Sequence, residues 1–274
     1  MKLRELETMD AIERRPLKSR NTGWARSLTA GETICLILFA LLSLLALREY
    51  ITIVPTRRAD HRALFWSFFL VMPIQYLLIA MHWYGMFAIF IPVWAFLFLP
   101  LRIALAGDTE NFLERAAKMQ WGLMLCVYCL SHAPALLILT SGGARLLLYL
   151  AIVDQSSDVF QYCWGKLAGR HRIVPQVSPN KTVEGTIGGG LSAIALGVAL
   201  RVLTPFSVTA AALLSLVIVV AGFAGGLAMS AIKRDRGIKD YGAIIPGHGG
   251  VLDRIDSLCF AAPAFFHLVR YYYG

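Results

Sequence analysis

With 274 residues, of which 57% are hydrophobic and only 16% charged, the chain is too apolar for a water-soluble domain. Apolar runs close to a membrane's width recur along it; about 20 such residues cross a hydrocarbon core of about 30 Å as a helix. The expected fold is therefore an all-α polytopic integral membrane protein of about eight transmembrane helices. The excess of 26 Lys and Arg over 17 Asp and Glu, a formal charge of +9, points to basic loops on the cytoplasmic face and to anionic headgroups and phosphates.

The first 27 residues are polar and include Lys2, Arg4, Arg14, Arg15, Lys18, Arg20 and Arg26. They lack the apolar core of a secretory signal, so no cleavable leader is expected, and residues 1–30 read as a basic tail. Candidate spans follow at 32–47, 63–81, 84–105 and 120–139, then near 144–164, 186–203, 207–232 and 255–273. This divides the chain into N-terminal transmembrane helices, 31–142, and a C-terminal catalytic region, 143–274, with polar loops at 165–185 and 233–254. The connections at 82–83, 140–143 and 203–207 are short and nearly uncharged. Those at 48–62, 106–118, 165–185 and 233–254 are longer and basic, which places all four on the cytoplasmic side. One conflict follows: eight spans put the N-terminal tail outside, whereas its basic character puts it inside.

Cys126 and Cys129 form a CxxC within the apolar run WGLMLCVYCL. Thiols there are expected to pack as small hydrophobes, not to hold a metal or a redox couple. Gly185 with Gly189, and Gly222 with Gly226, have the spacing that lets membrane helices approach closely, and helix packing is the expectation for both pairs.

Two polar segments break the apolar pattern. In the first, 154–185, Asp154 and Asp158 share one helix face at the cytoplasmic end of a span. Acidic groups there are costly and usually functional. Ser178, Pro179, Asn180, Lys181 and Thr182 read as a turn leading into a helix start, a ready anion site. No GxxxxGK[ST] is present, so no Walker-type fold is implied. In the second, KRDRGIKDYGAIIPGHGGVLDRID (233–256), Lys233 and Arg234 close an apolar span where they can meet a phosphate at the membrane surface. Pro246, Gly247, His248, Gly249 and Gly250 predict an irregular backbone of close approach. Asp253 and Asp256 face one way at the start of a helix, where the dipole favours carboxylates. With Asp240 they also suit a hard, oxygen-ligated cation such as Mg²⁺. His248 reads as a group that orients a carboxylate or phosphate, with base or metal ligand as the alternative. No nucleophile elbow or Ser/His/Asp arrangement accompanies these residues. Alone, they point to phosphoryl or nucleotidyl transfer on a phosphorylated lipid, with metal and Lys/Arg clamps in place of a covalent nucleophile.

The stretch 230–256 resembles the signature of the phosphatidate cytidylyltransferases, also called CDP-diacylglycerol synthases, from Ser230 through Lys233, Arg234, Lys239, Asp240, Gly242, Pro246, His248, Gly249, Gly250, Asp253 and Arg254 to Asp256. Residues 158–190 resemble that family's other polar block at Asp158, Tyr162, Gly165, Ser178, Pro179, Lys181, Thr182, Glu184 and Gly185. Gln161 and Val183 depart from it, where a small residue and Trp are usual, and mark a divergent branch. LREY (47–50) resembles the end of the family's second helix, which implies that a first span is missing or remodelled here.

The resemblance implies condensation of CTP with phosphatidate to CDP-diacylglycerol and pyrophosphate, at the cytoplasmic face of the cell's inner membrane. It implies catalytic roles for Asp240, Asp253, Asp256, Lys239 and His248. Asp240, Asp253 and Asp256 would hold Mg²⁺, and a second, monovalent cation is allowed for. Ser178, Lys181, Thr182, Lys233, Arg234, Arg254 and Asp158 would bind substrate. Membrane lipids are expected partners, a homodimer is allowed for, and nucleic acid is not expected. The alternatives are the same reaction on an isoprenoid-ether or polyprenyl phosphate, and a non-catalytic membrane paralogue.

Overall fold

The computed structural model describes residues 28–140, 142–242 and 249–274. The basic tail with its expected sidedness, and His248 with the Pro-Gly pair before it, lie outside the described residues.

The chain forms helices α1 (Ala30–Ile53), α2 (Arg58–Ala80), α3 (Tyr84–Ala104), α4 (Phe112–Ile138) and α5 (Gly143–Ala168). An antiparallel hairpin of β1 (Arg172–Val174) and β2 (Ser178–Thr182) follows. Then come α6 (Val183–Leu203), α7 (Val208–Asp235) and α8 (Leu252–Tyr273). The all-α membrane architecture expected from the apolar runs is what the chain adopts. Among the described residues, six helices are long and apolar enough to cross a membrane, not eight. The other two long helices, α5 and α8, stand where a fifth and an eighth span were expected. Asp154 and Asp158 on α5, and Asp253, Arg254 and Asp256 on α8, make them more polar.

Local chemistry explains the starts of α1, α6 and α7. Thr29 and Glu32 form a reciprocal capping box at α1, with Thr29 N donating to Glu32 at 2.8 Å. The Thr182 hydroxyl accepts from Gly185 N at 3.1 Å to start α6, and Ser207 accepts from Ala210 N at 3.2 Å to start α7. The segment 178–182, expected as a turn, is extended and pairs with β1; the helix start expected after it is present. In α2 the helix widens into a π-helical segment, Ser67–Val71, just before Pro73, whose missing N–H frees a carbonyl one turn back.

The long connections gather at one end of the bundle. Arg57, before α2, pairs with Asp108 and Glu110 before α4, and the Arg234 Nε at the end of α7 donates to Val177 O in the hairpin at 3.2 Å. The short connections meet at the other end, where Arg270 stacks 3.4 Å from the Tyr84 ring and Phe206 packs on Tyr273. Between the ends, α5 packs on α6 and α7 on α8. The first pairing is close because a side chain on Gly189 would strike the Gln161 backbone. Large apolar side chains such as Phe69, Leu97 and Leu191 point outward, as a lipid-facing surface requires. Cys126 is buried and Cys129 partly so, both as free thiols, which agrees with their reading as packing groups.

Near the loop end, Arg115 is 6% exposed and pairs with Asp60, which is 2% exposed, at 3.2 Å, and with Asp108 at 2.8 Å. Removing one partner of a buried pair leaves a charge without compensation. Arg115→Ala is expected to cost about 3 kcal/mol or more, read as a lowered thermal midpoint in detergent. Arg57→Ala, whose pairs are solvent-exposed, should leave the midpoint near wild type.

Candidate functional site

A cavity of ≈ 480 Å³ opens at the loop end, between the hairpin and helices α5, α7 and α8. Each wall contributes polar groups. The end of α5 supplies Asp158, β2 supplies Ser178, Asn180, Lys181 and Thr182, and the end of α7 supplies Ser230. The first turn of α8 supplies Asp253, Arg254 and Asp256. The two polar segments, separated by the whole of α6 and most of α7, therefore face one space. The hairpin is held to the start of α6 by Glu184, whose carboxylate accepts the backbone N–H groups of Arg170 at 3.0 Å and His171 at 3.1 Å.

Lys181 crosses to α7. Its ammonium lies 4.5 Å from the Phe223 ring and donates to Phe223 O at 3.4 Å. A side chain on Gly226 would come within 3.0 Å of it, so the glycine makes room for the lysine. Burial lowers the Lys181 pKa from its ordinary value, while Asp158 and Asp256 oppose the shift. Gly222 faces Asp154 in the same way. Gly226 thus makes room for a cavity side chain and Gly222 for Asp154, whereas Gly185 and Gly189 pack against α5 as expected. Asp154 is only 1% exposed and does not line the cavity; it accepts from the Ser257 hydroxyl at 3.0 Å, joining α5 to α8 behind the site.

The predicted cationic clamps separate into two groups. Lys181 and Arg254 line the cavity. Lys233 is paired with Asp253 at 2.8 Å. The Arg234 guanidinium donates to Val177 O and Ile238 O, bracing the loop against the hairpin. Lys239 and Asp240 are exposed and off the cavity. The carboxylates separate likewise. Asp253 accepts from Lys233 with one oxygen, and from Tyr241 N at 2.8 Å and Gly250 N at 3.0 Å with the other. Gln155 and Thr186 also line the space and were not singled out in the sequence. Their positions, three residues before Asp158 and four after Thr182, are the helical spacing that could have found them.

Among the described residues, no group of three or more His, Cys, Asp or Glu side chains is placed to hold a metal ion, so Asp240, Asp253 and Asp256 do not form a closed cage. The donor chemistry nevertheless fits Mg²⁺ in another way. Asp158 and Asp256 both line the cavity, and Mg²⁺ is usually held by one or two carboxylates together with substrate phosphates.

Comparisons with known proteins place the chain in a family. The model of the cytidylyltransferase family matches residues 23–272. An uncharacterised Escherichia coli protein, YnbB, is 44% identical over 241 residues, 86% of this chain and 79% of its own length. Phosphatidate cytidylyltransferases of Staphylococcus saprophyticus and Staphylococcus haemolyticus are 38% and 39% identical over 125 residues, covering 45% of this chain and 48% of theirs. The match to these enzymes thus spans about half their length. A family match across nearly the whole chain, on a helical bundle whose two polar segments share one cavity, leads to one conclusion: the chain belongs to the cytidylyltransferase family.

Proposed function

We propose that this protein condenses CTP with phosphatidate, giving CDP-diacylglycerol and pyrophosphate, with the cavity facing the cytoplasm. The observation that carries this reading is the pairing of Asp158 and Asp256 with Lys181 and Arg254 around one space at the loop end of the bundle. A site with both signs of charge suits a metal-bound polyanion, and its position gives a membrane-held phosphate access to a soluble nucleotide. The names of the staphylococcal relatives support phosphatidate as the acceptor.

In this reaction a phosphate oxygen of the lipid attacks the α-phosphorus of CTP. The bond from that phosphorus to the oxygen bridging to the β-phosphate breaks, and its electron pair leaves with pyrophosphate. The nucleophile is already an anion, so no strong base is needed. The barrier lies in bringing two polyanions together. Lys181 and Arg254 would bind phosphate oxygens, and Ser178, Asn180 and Ser230 would fix their orientation by hydrogen bonds. Asp158 and Asp256 would hold Mg²⁺, which supplies charge neutralisation for the triphosphate and its departing half. Asp253, bound to Lys233 and two backbone N–H groups, shapes the site in this scheme.

Purified protein in detergent, given CTP, Mg²⁺ and phosphatidate, should form lipid-linked CMP. Asp256→Asn should lower the rate by about 100-fold, the scale of losing a charge-stabilising group at a phosphoryl centre. No product above background, or an Asp256→Asn protein as active as wild type, would contradict the reading. Product only with a polyprenyl phosphate would move the acceptor to another lipid.

Sidedness has its own test. With Cys163 replaced by Ser, a cysteine at Lys239 should react with an impermeant maleimide only after the cytoplasmic face is opened. A cysteine at Trp83, in the connection at the other end, should react from outside. The reverse pattern would place the cavity on the external face.

A further inference from the structure

Helices α1, α6 and α7 start on side-chain caps of their own, whereas α8 gets none from its cap residue Val251. Its start is capped from the far end of the sequence. Glu49, in the last turns of α1 and 4% exposed, accepts from Val251 N at 2.9 Å and Leu252 N at 2.8 Å, one carboxylate oxygen for each. Two glycines are shaped around it. A Cβ on Gly250 would lie 2.5 Å from one carboxylate oxygen, and a Cβ on Gly242 would lie 2.8 Å from the other. The carboxylate therefore fills the neck of the loop that joins α7 to α8, touching both of its ends. Asp253, which pins Tyr241 N and Gly250 N, closes the same neck from the α8 side.

We infer that Glu49 is a positioning residue for the nucleotide-binding turn of α8. It acts through the backbone, by fixing the N–H groups directly before Asp253, Arg254 and Asp256, three residues that line the cavity. A carboxylate at a helix N-terminus is favoured by the dipole and satisfies two of the donors left over there. With those two donors occupied, neither is offered to a phosphate, and the scheme assigns the triphosphate to Lys181 and Arg254. The fit is specific. Gln at position 49 would replace one acceptor by an NH₂ donor aimed at a backbone N–H, and Ala would remove both acceptors.

The inference rests on the proposed CTP-dependent reaction for its kinetic part and on geometry alone for its structural part, so two readouts separate them. The first is hydrogen–deuterium exchange of peptides covering 249–256 in detergent. Glu49→Gln should speed exchange at Val251 and Leu252 by about tenfold or more, with little change in α5. The second is steady-state kinetics. The same variant should raise the apparent KM for CTP by about tenfold, the scale of one charge-assisted contact, and leave the KM for phosphatidate near wild type. Gly250→Ala, whose methyl would displace the same carboxylate, should reproduce both effects, and it carries the test if Glu49→Gln does not fold. The double variant should be no worse than the poorer single one, since both break one contact. Unchanged exchange at Val251 and Leu252 in both variants would overturn the inference. So would an activity loss that tracks only the loss of folded protein, with both KM values unmoved. A wild-type protein that turns over no CTP would defeat the proposed function instead, and the exchange data would still decide whether Glu49 fixes the turn.

Discussion

The side chain of Asp253 uses both of its oxygens within the protein, and the site depends on that arrangement. One oxygen takes the ammonium of Lys233 from the end of α7. The other takes the N–H groups of Tyr241 and Gly250, from the two ends of the intervening loop. Three chain segments thus converge on one carboxylate. The ion pair is largely out of water, at 13% and 8% side-chain exposure. Such a pair contributes little net stability over an apolar substitute, but breaking it is costly, so it specifies geometry more than it stabilises. What it specifies is the first turn of α8, with Asp256 and Arg254 turned into the cavity.

The same end of the bundle repeats this use of charge. Arg115 lies between Asp60 and Asp108, Glu184 gathers the hairpin, and Arg234 braces the hairpin against the loop. These contacts hold irregular backbone in place next to the membrane, where an apolar core cannot reach. The opposite end relies on aromatic packing and on hydroxyls such as Tyr149, which donates to Ala211 O at 3.1 Å. The contrast follows from function. A catalyst for polyanions must present ordered charge at one face, while a bundle that also meets lipid must stay apolar elsewhere.

Much of this was legible in the sequence, and the remainder was hidden for physical reasons. Period and length marked the helices, because apolar runs set their own boundaries in a membrane. Asp158, Lys181, Ser178, Thr182 and Asp256 were legible as candidates because polar groups in apolar surroundings need a reason, and Arg254 through the family resemblance; the fold brings all six to one cavity. The roles of Lys233 and Arg234 were not. A lysine or arginine at a helix end is equally suited to a phosphate, a carboxylate or a carbonyl, and only the fold shows that Asp253 and two backbone carbonyls take them. Asp240 was grouped with Asp253 and Asp256 on residue type and on the family resemblance, whereas the chain leaves it exposed and outside the cavity lining. Segment 178–182 carried the turn chemistry of Ser, Pro and Asn, which the pairing with β1 overrides. Glu49 was the least legible: its partners lie 202 and 203 residues away, and no local pattern encodes such a contact.

The central claim is that one cavity receives the triphosphate of CTP between carboxylates and cations contributed by both polar segments. A structure of the protein with CTP and Mg²⁺ bound tests it most directly. The prediction is phosphate density inside the cavity, with Lys181 and Arg254 on phosphate oxygens and the metal reached by Asp158 or Asp256. Nucleotide bound elsewhere on the loop face, with the cavity free of phosphate, would contradict it.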